Sequence, residues 1–89
     1  MGLPVVALPT DTVLIGDDKV EIRGLSRAET LRLSGLEIDD ADNLVLSIGA
    51  GVSEDEARAW RNTTSNEVVR KLVDRIVELS GLTEDSQGK

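Results

Sequence analysis

The spacing of apolar residues along this chain changes character near Ser26. Before it, Lys19-Val20-Glu21-Ile22-Arg23 alternates strictly, which places Val20 and Ile22 on the inner face of a strand and three charges in water. Residues 12–15 form a second short β-branched run, and Gly16-Asp17-Asp18 between the two predicts a hairpin closed by a three-residue loop. A lone hairpin is marginally stable and must pack on helices. Residues 1–11 carry Pro4, Pro9 and no sustained period, so they read as a loosely held arm.

From Ser26 onward the spacing is helical. Ser26-Arg27-Ala28-Glu29 is a capping box, in which the Ser and Glu side chains each satisfy an amide at the helix start, and it opens a helix running to about Ser34 with Gly35 as terminator. Asp39 or Asp40 caps a second helix, where Ala41, Leu44, Val45 and Ile48 share one face before Gly49-Ala50-Gly51 breaks it. Ser53-Glu54-Asp55-Glu56 is a second box, with Val52 placed to pack on Ala57 as a hydrophobic staple, and it starts a short helix carrying Trp60.

The longest helix is predicted over residues 65–80, opened by the box Thr64-Ser65-Asn66-Glu67 and ended by Gly81, with Leu82 folding back onto Val77. Its Val68, Val69, Leu72, Val73, Ile76, Val77 and Leu79 spread over an arc of about 180°, wider than one core contact requires, so the helix has apolar surface for two partners. The opposite face, Glu67, Arg70, Lys71, Asp74, Arg75 and Glu78, reads as solvated, and residues 83–89 as a disordered tail. The predicted fold is therefore α+β and mainly α: one domain over residues 12–82, with an N-terminal hairpin packed on three to four helices.

Composition narrows what such a domain does. Seventeen acidic against ten basic residues give a net charge of −7, which repels nucleic-acid phosphates and anionic lipid. His, Cys and Tyr are all absent, which removes a Ser-His-Asp triad, thiolate chemistry and the usual neutral-pH proton carrier, so no enzymatic activity and no cofactor are expected. The acidic cluster Glu37, Asp39, Asp40 and Asp42 lacks the Gly and Glu positions of a calcium-binding EF-hand loop, so no metal site is expected. Gly49-Ala50-Gly51 lacks the preceding strand and following Lys-Ser/Thr of a phosphate-binding loop.

The apolar stretch over residues 3–8 is far shorter than a membrane span, contains Pro4 and lacks preceding basic residues, and Val6 stands where the myristoylation pattern wants Ser or Thr. A soluble, cytoplasmic protein is the expectation. Trp60, the single aromatic residue, is either a core residue or an interface anchor. A carrier domain of the acyl-carrier kind shares the small, acidic, helical composition. Its phosphopantetheine Ser, however, has no counterpart in Asp42-Asn43-Leu44.

Three segments together resemble the tail assembly chaperones of long-tailed, siphovirus-like bacteriophages. Val20-Glu21-Ile22-Arg23-Gly24-Leu25-Ser26-Arg27-Ala28-Glu29 is similar to that family's strand, turn and capped first helix. Ser53-Glu54-Asp55-Glu56-Ala57-Arg58-Ala59-Trp60 is similar to its acidic helix start followed by Trp, and Ile76-Val77-Glu78-Leu79-Ser80-Gly81-Leu82 to its closing helix. Many relatives carry a Pro where this chain has Gly51-Val52.

The resemblance implies a non-enzymatic factor of the bacterial host cytoplasm that binds the apolar tape-measure protein, keeps it soluble during tail morphogenesis, and is absent from the mature virion. It also implies a longer frameshifted product whose extension recruits tail tube protein; Gly88-Lys89 can be encoded by a slippery run. The predicted protein-binding face comprises Val69, Val73, Ile76, Val77 and Leu82, and the wide face of the same helix predicts a homo-oligomer. The alternative is a head-tail or tail connector retained in the virion.

Overall fold

A computed structural model describes residues 2–82, and the tail predicted over residues 83–89 lies outside the described residues. Two antiparallel strands, β1 (Thr10–Ile15) and β2 (Asp18–Arg23), precede four helices: α1 (Arg27–Leu31), α2 (Ile38–Ala50), α3 (Glu54–Thr63) and α4 (Asn66–Leu79). The α+β, mainly helical architecture is the one the alternation and periodicity predict. A shared aliphatic core joins Val13 and Ile22 of the hairpin, Leu25, Val45 and Leu46 of α2, Ala57 of α3, and Leu72, Val73 and Ile76 of α4.

The hairpin differs from expectation in its turn. Asp18 pairs with Ile15, leaving Gly16 and Asp17 as a two-residue loop, and Gly16 alone has positive φ, at 64°. Positive φ at the first central residue is the type II′ pattern, whose twist matches that of the flanking strands. β1 also starts two residues earlier than predicted. Asp11 sits on the inward face with Val13, opposite Ile22, and its carboxylate takes a hydrogen bond from Arg75 Nε at 2.7 Å, which fixes the strand start to α4. The loose arm is correspondingly shorter.

Of the three predicted capping boxes, one is complete. Ser26 N–H donates to Glu29 at 2.8 Å and Glu29 N–H to Ser26 Oγ at 3.3 Å. Beyond Leu31 the chain continues in successive i to i+3 turns rather than helix, until Gly35 reverses it at φ 83°. Ser53 caps α3 by accepting from Glu56 N–H at 3.1 Å. Thr64 does not cap α4: it is the extended residue that closes α3, and Ser65 takes over, accepting from Val68 N–H at 3.3 Å. Nor do Asp39 and Asp40 cap α2, since they lie in its first turn behind Glu37. There they still favour the positive end of the helix dipole.

The end of α4 is as predicted. Leu82 N–H donates to Val77 C=O at 3.1 Å and Gly81 N–H to Glu78 C=O at 3.0 Å, the paired bonds of a Schellman motif. Of the predicted breaker Gly49-Ala50-Gly51, Gly51 does end α2 as its left-handed C-cap at φ 74°, whereas Gly49 lies inside the helix. A Cβ on Gly49 would come within 2.5 Å of Ile76 Cδ1, so the missing side chain is the socket into which Ile76 fits. Gly24 serves likewise, since its Cβ would meet Leu79 O at 2.5 Å where the end of β2 crosses the end of α4.

Candidate protein-binding surface

Most of the wide apolar arc of α4 packs internally, with Leu72, Val73 and Ile76 buried and Val69 and Val77 half-buried. One side meets the hairpin, the other meets α2 through the Gly49 socket, and the five predicted binding residues divide accordingly. Ile76 and Val73 are 0% and 4% exposed and belong to the core; Val69 and Val77 are half-buried; Leu82 is exposed. The five form no common outer surface. Two partners are legible in the width of the arc, but both are elements of the same chain.

The face opposite that arc is not simply solvated either. Arg75 holds Asp11 and also Glu78 at 2.9 Å, and Lys71 Nζ reaches the Leu14 carbonyl at 3.5 Å, so part of the polar face of α4 fastens β1. The Arg75 guanidinium and the Thr12 N–H hold the Asp11 carboxyl below its ordinary range. Arg23, expected in water, instead makes a two-point pair with Glu29, both bonds at 2.9 Å. That pair, helped by the Ser26 amide, pulls the Glu29 carboxyl down to about 2.

The acidic cluster at the start of α2 is compensated by α3. Asp39 pairs with Arg61 and, at 3.8 Å, with Arg58, which also approaches Asp40 at 3.9 Å. Burial pushes the Asp42 carboxyl up. Asn43 is buried; its amide donates to Glu54 C=O and accepts from Arg61 Nη1, both at 3.1 Å. With Ser47 Oγ donating to Val52 C=O at 2.6 Å, these bonds clamp the start of α3 onto α2. Among the described residues no group of three or more His, Cys, Asp or Glu is placed to hold a metal ion.

Uncovered apolar surface lies elsewhere. Val20 of β2, Ala50 and Val52 around the end of α2, Ala57 and Trp60 of α3, and Leu72 of α4 line a groove of about 240 Å³. Its walls come from four different elements that meet in the core. At this volume the groove is smaller than the roughly 300–1,000 Å³ of small-molecule sites. Trp60 is half-buried, combining the two roles that its sequence leaves open: its ring packs on the core and also forms a wall of the groove.

Around the groove-bearing body, Leu31, Leu36 and Ile38 are exposed beside α1 and α2, and Leu3, Val5 and Val6 before β1 are more exposed still. The larger cleft, about 550 Å³ between the hairpin and the end of α2, is lined by Asp11, Glu21 and Arg23 among others, and two of these charges are already paired with Arg75 and Glu29. No helix among the described residues is long and apolar enough to cross a membrane. No family model, curated protein or solved structure matches the chain.

Proposed function

We propose that this protein is a tail assembly chaperone of a long-tailed bacteriophage, which binds apolar segments of the tape-measure protein in the host cytoplasm and holds them in solution until tail-tube subunits assemble. The observation that carries this reading is the apolar groove beside Trp60, accompanied by exposed Leu31, Leu36 and Ile38, on a chain of net charge −7. Apolar surface of this kind shields apolar segments of a client, and the charge keeps the complex dispersed.

The resemblance of the hairpin-to-α1 segment, the acidic start of α3 and the close of α4 to that family supports the same reading. Client contact is assigned to the groove, with Leu82 as the one exposed member of the α4 set. Co-expression with the tape-measure protein of the same phage tests the proposal. The client is expected in the soluble fraction, co-purifying with the chaperone. Unchanged client aggregation without co-purification refutes it.

A further inference from the structure

Two of the chain's uncovered apolar surfaces complement each other. The first is the groove at Val20, Val52 and Trp60. The second is the segment before β1, where Leu3, Val5 and Val6 are 93%, 101% and 77% exposed. We infer that the groove of one copy receives the 3–8 segment of a second copy, and that two copies exchange these segments reciprocally.

Charge favours this occupant. Residues 2–9 contain no ionisable side chain in a chain of net charge −7, so this is a stretch that a second acidic copy approaches with little repulsion. Glu56 is the one charged residue lining the groove among the described residues. Shape favours it as well. Pro4 and Pro9 fix their own φ and push Leu3 and Leu8 toward extended backbone, while β-branched Val5 and Val6 prefer the same region. A stiff, extended segment loses little conformational freedom on docking.

Direction decides between the chain's own groove and that of another copy. Gly24 N–H donates to Pro9 C=O at 2.8 Å, one step beyond the terminal Thr10–Arg23 pair, so the segment departs from the open end of the hairpin. Val20 lies back toward the turn, opposite Val13. Reaching its own groove requires the segment to double back along the hairpin, from the open end toward the Val13–Val20 pair. A second copy needs no reversal, and a twofold pair fills both grooves.

This exchange stands without the client reading, because it uses only the segment, the groove and their directions. Where both hold, the segment and the client compete for Trp60. The test is sedimentation velocity of the full chain across a concentration series, with Trp60 emission recorded on each sample, for the wild type and the double variant Val5→Asp, Val6→Asp. These positions lie outside the core, and unchanged far-UV circular dichroism verifies folding.

The wild type is expected to dimerise, its emission shifting to the red on dilution. The variant is expected to sediment as a monomer throughout, with the emission of dilute wild type. A wild type that stays monomeric overturns the exchange, as does a variant that dimerises like the wild type. An emission difference between two monomeric proteins also overturns it, by placing the segment in its own groove. None of these results alters client solubility in co-expression, which the client reading answers to separately.

Discussion

Val73 and Ile76 on α4 and Val20 and Trp60 at the groove are all hydrophobic residues, yet the two pairs occupy different surroundings. The first pair sits where three elements converge, with Gly49 hollowed out to receive Ile76 and Gly24 letting the end of β2 lie directly on the end of α4. The second pair sits where β2, α2, α3 and α4 stop short of one another and leave a groove. A long helix with regular apolar spacing recruits neighbours from its own chain and is buried. Surface available to a partner arises at the gaps between elements and in the segment that joins none of them.

The largest effect is expected from emptying the packed region. Ile76→Ala removes a fully buried side chain from the Gly49 socket and should cost about 2–5 kcal/mol, read as a lowered urea midpoint. Since an 89-residue domain has little stability in reserve, partial unfolding at room temperature is within that range. If Ile76→Ala left the midpoint unchanged, the core would not be where it is described.

Gly24→Ala comes next, at about 1–3 kcal/mol, because its methyl meets backbone atoms at Leu79 and Ser80 that cannot rotate away. The same displacement should weaken the 2.7 Å bond from Leu25 N–H to Ser80 Oγ, and faster amide exchange at Leu25 reports it.

A smaller effect is expected from the Arg23–Glu29 pair. Glu29 titrates at about 2 in the folded state against an ordinary 4.5, so its contribution to stability is present above 4.5 and is lost as pH falls through 2. Denaturant midpoints of the wild type and Glu29→Gln should therefore differ above that window and converge toward its acid end. Both partners are partly exposed, so screening keeps the difference modest, and added salt should shrink it. The smallest change is expected outside the core: Val5→Asp with Val6→Asp should alter stability by less than about 0.5 kcal/mol at dilutions where the wild type is monomeric, while abolishing self-association.

Much of this architecture is legible in the sequence, for local reasons. Strict alternation at Val20 and Ile22, the Ser26–Glu29 box and the Gly81 terminator each act within a few residues, and each appears where the pattern places it. Misreadings occur where a distant residue decides. Gly49 has the look of a helix breaker because its partner, Ile76, is remote in sequence, and the polar face of α4 has the look of a solvated one because Asp11 is too. Thr64 and Ser65 are both good caps, and the end of α3 settles which one serves.

The proposed binding surface is the least legible part. The width of the α4 arc is visible, but periodicity does not distinguish a partner in the same chain from one outside it. Trp60 is the available signal: a single aromatic residue on a short helix that core packing does not wholly cover. The groove around it depends on four elements meeting imperfectly, and no local motif encodes that.

Amide chemical shifts of isotopically labelled protein, titrated with soluble fragments of the proposed tape-measure client, test the central claim most directly. The account predicts perturbations centred on Val20, Val52, Ala57 and the Trp60 indole, with Val73 and Ile76 amides unmoved. Perturbations centred on Val69, Val73, Ile76 and Val77, with the Trp60 indole unmoved, would contradict it and restore α4 as the binding face.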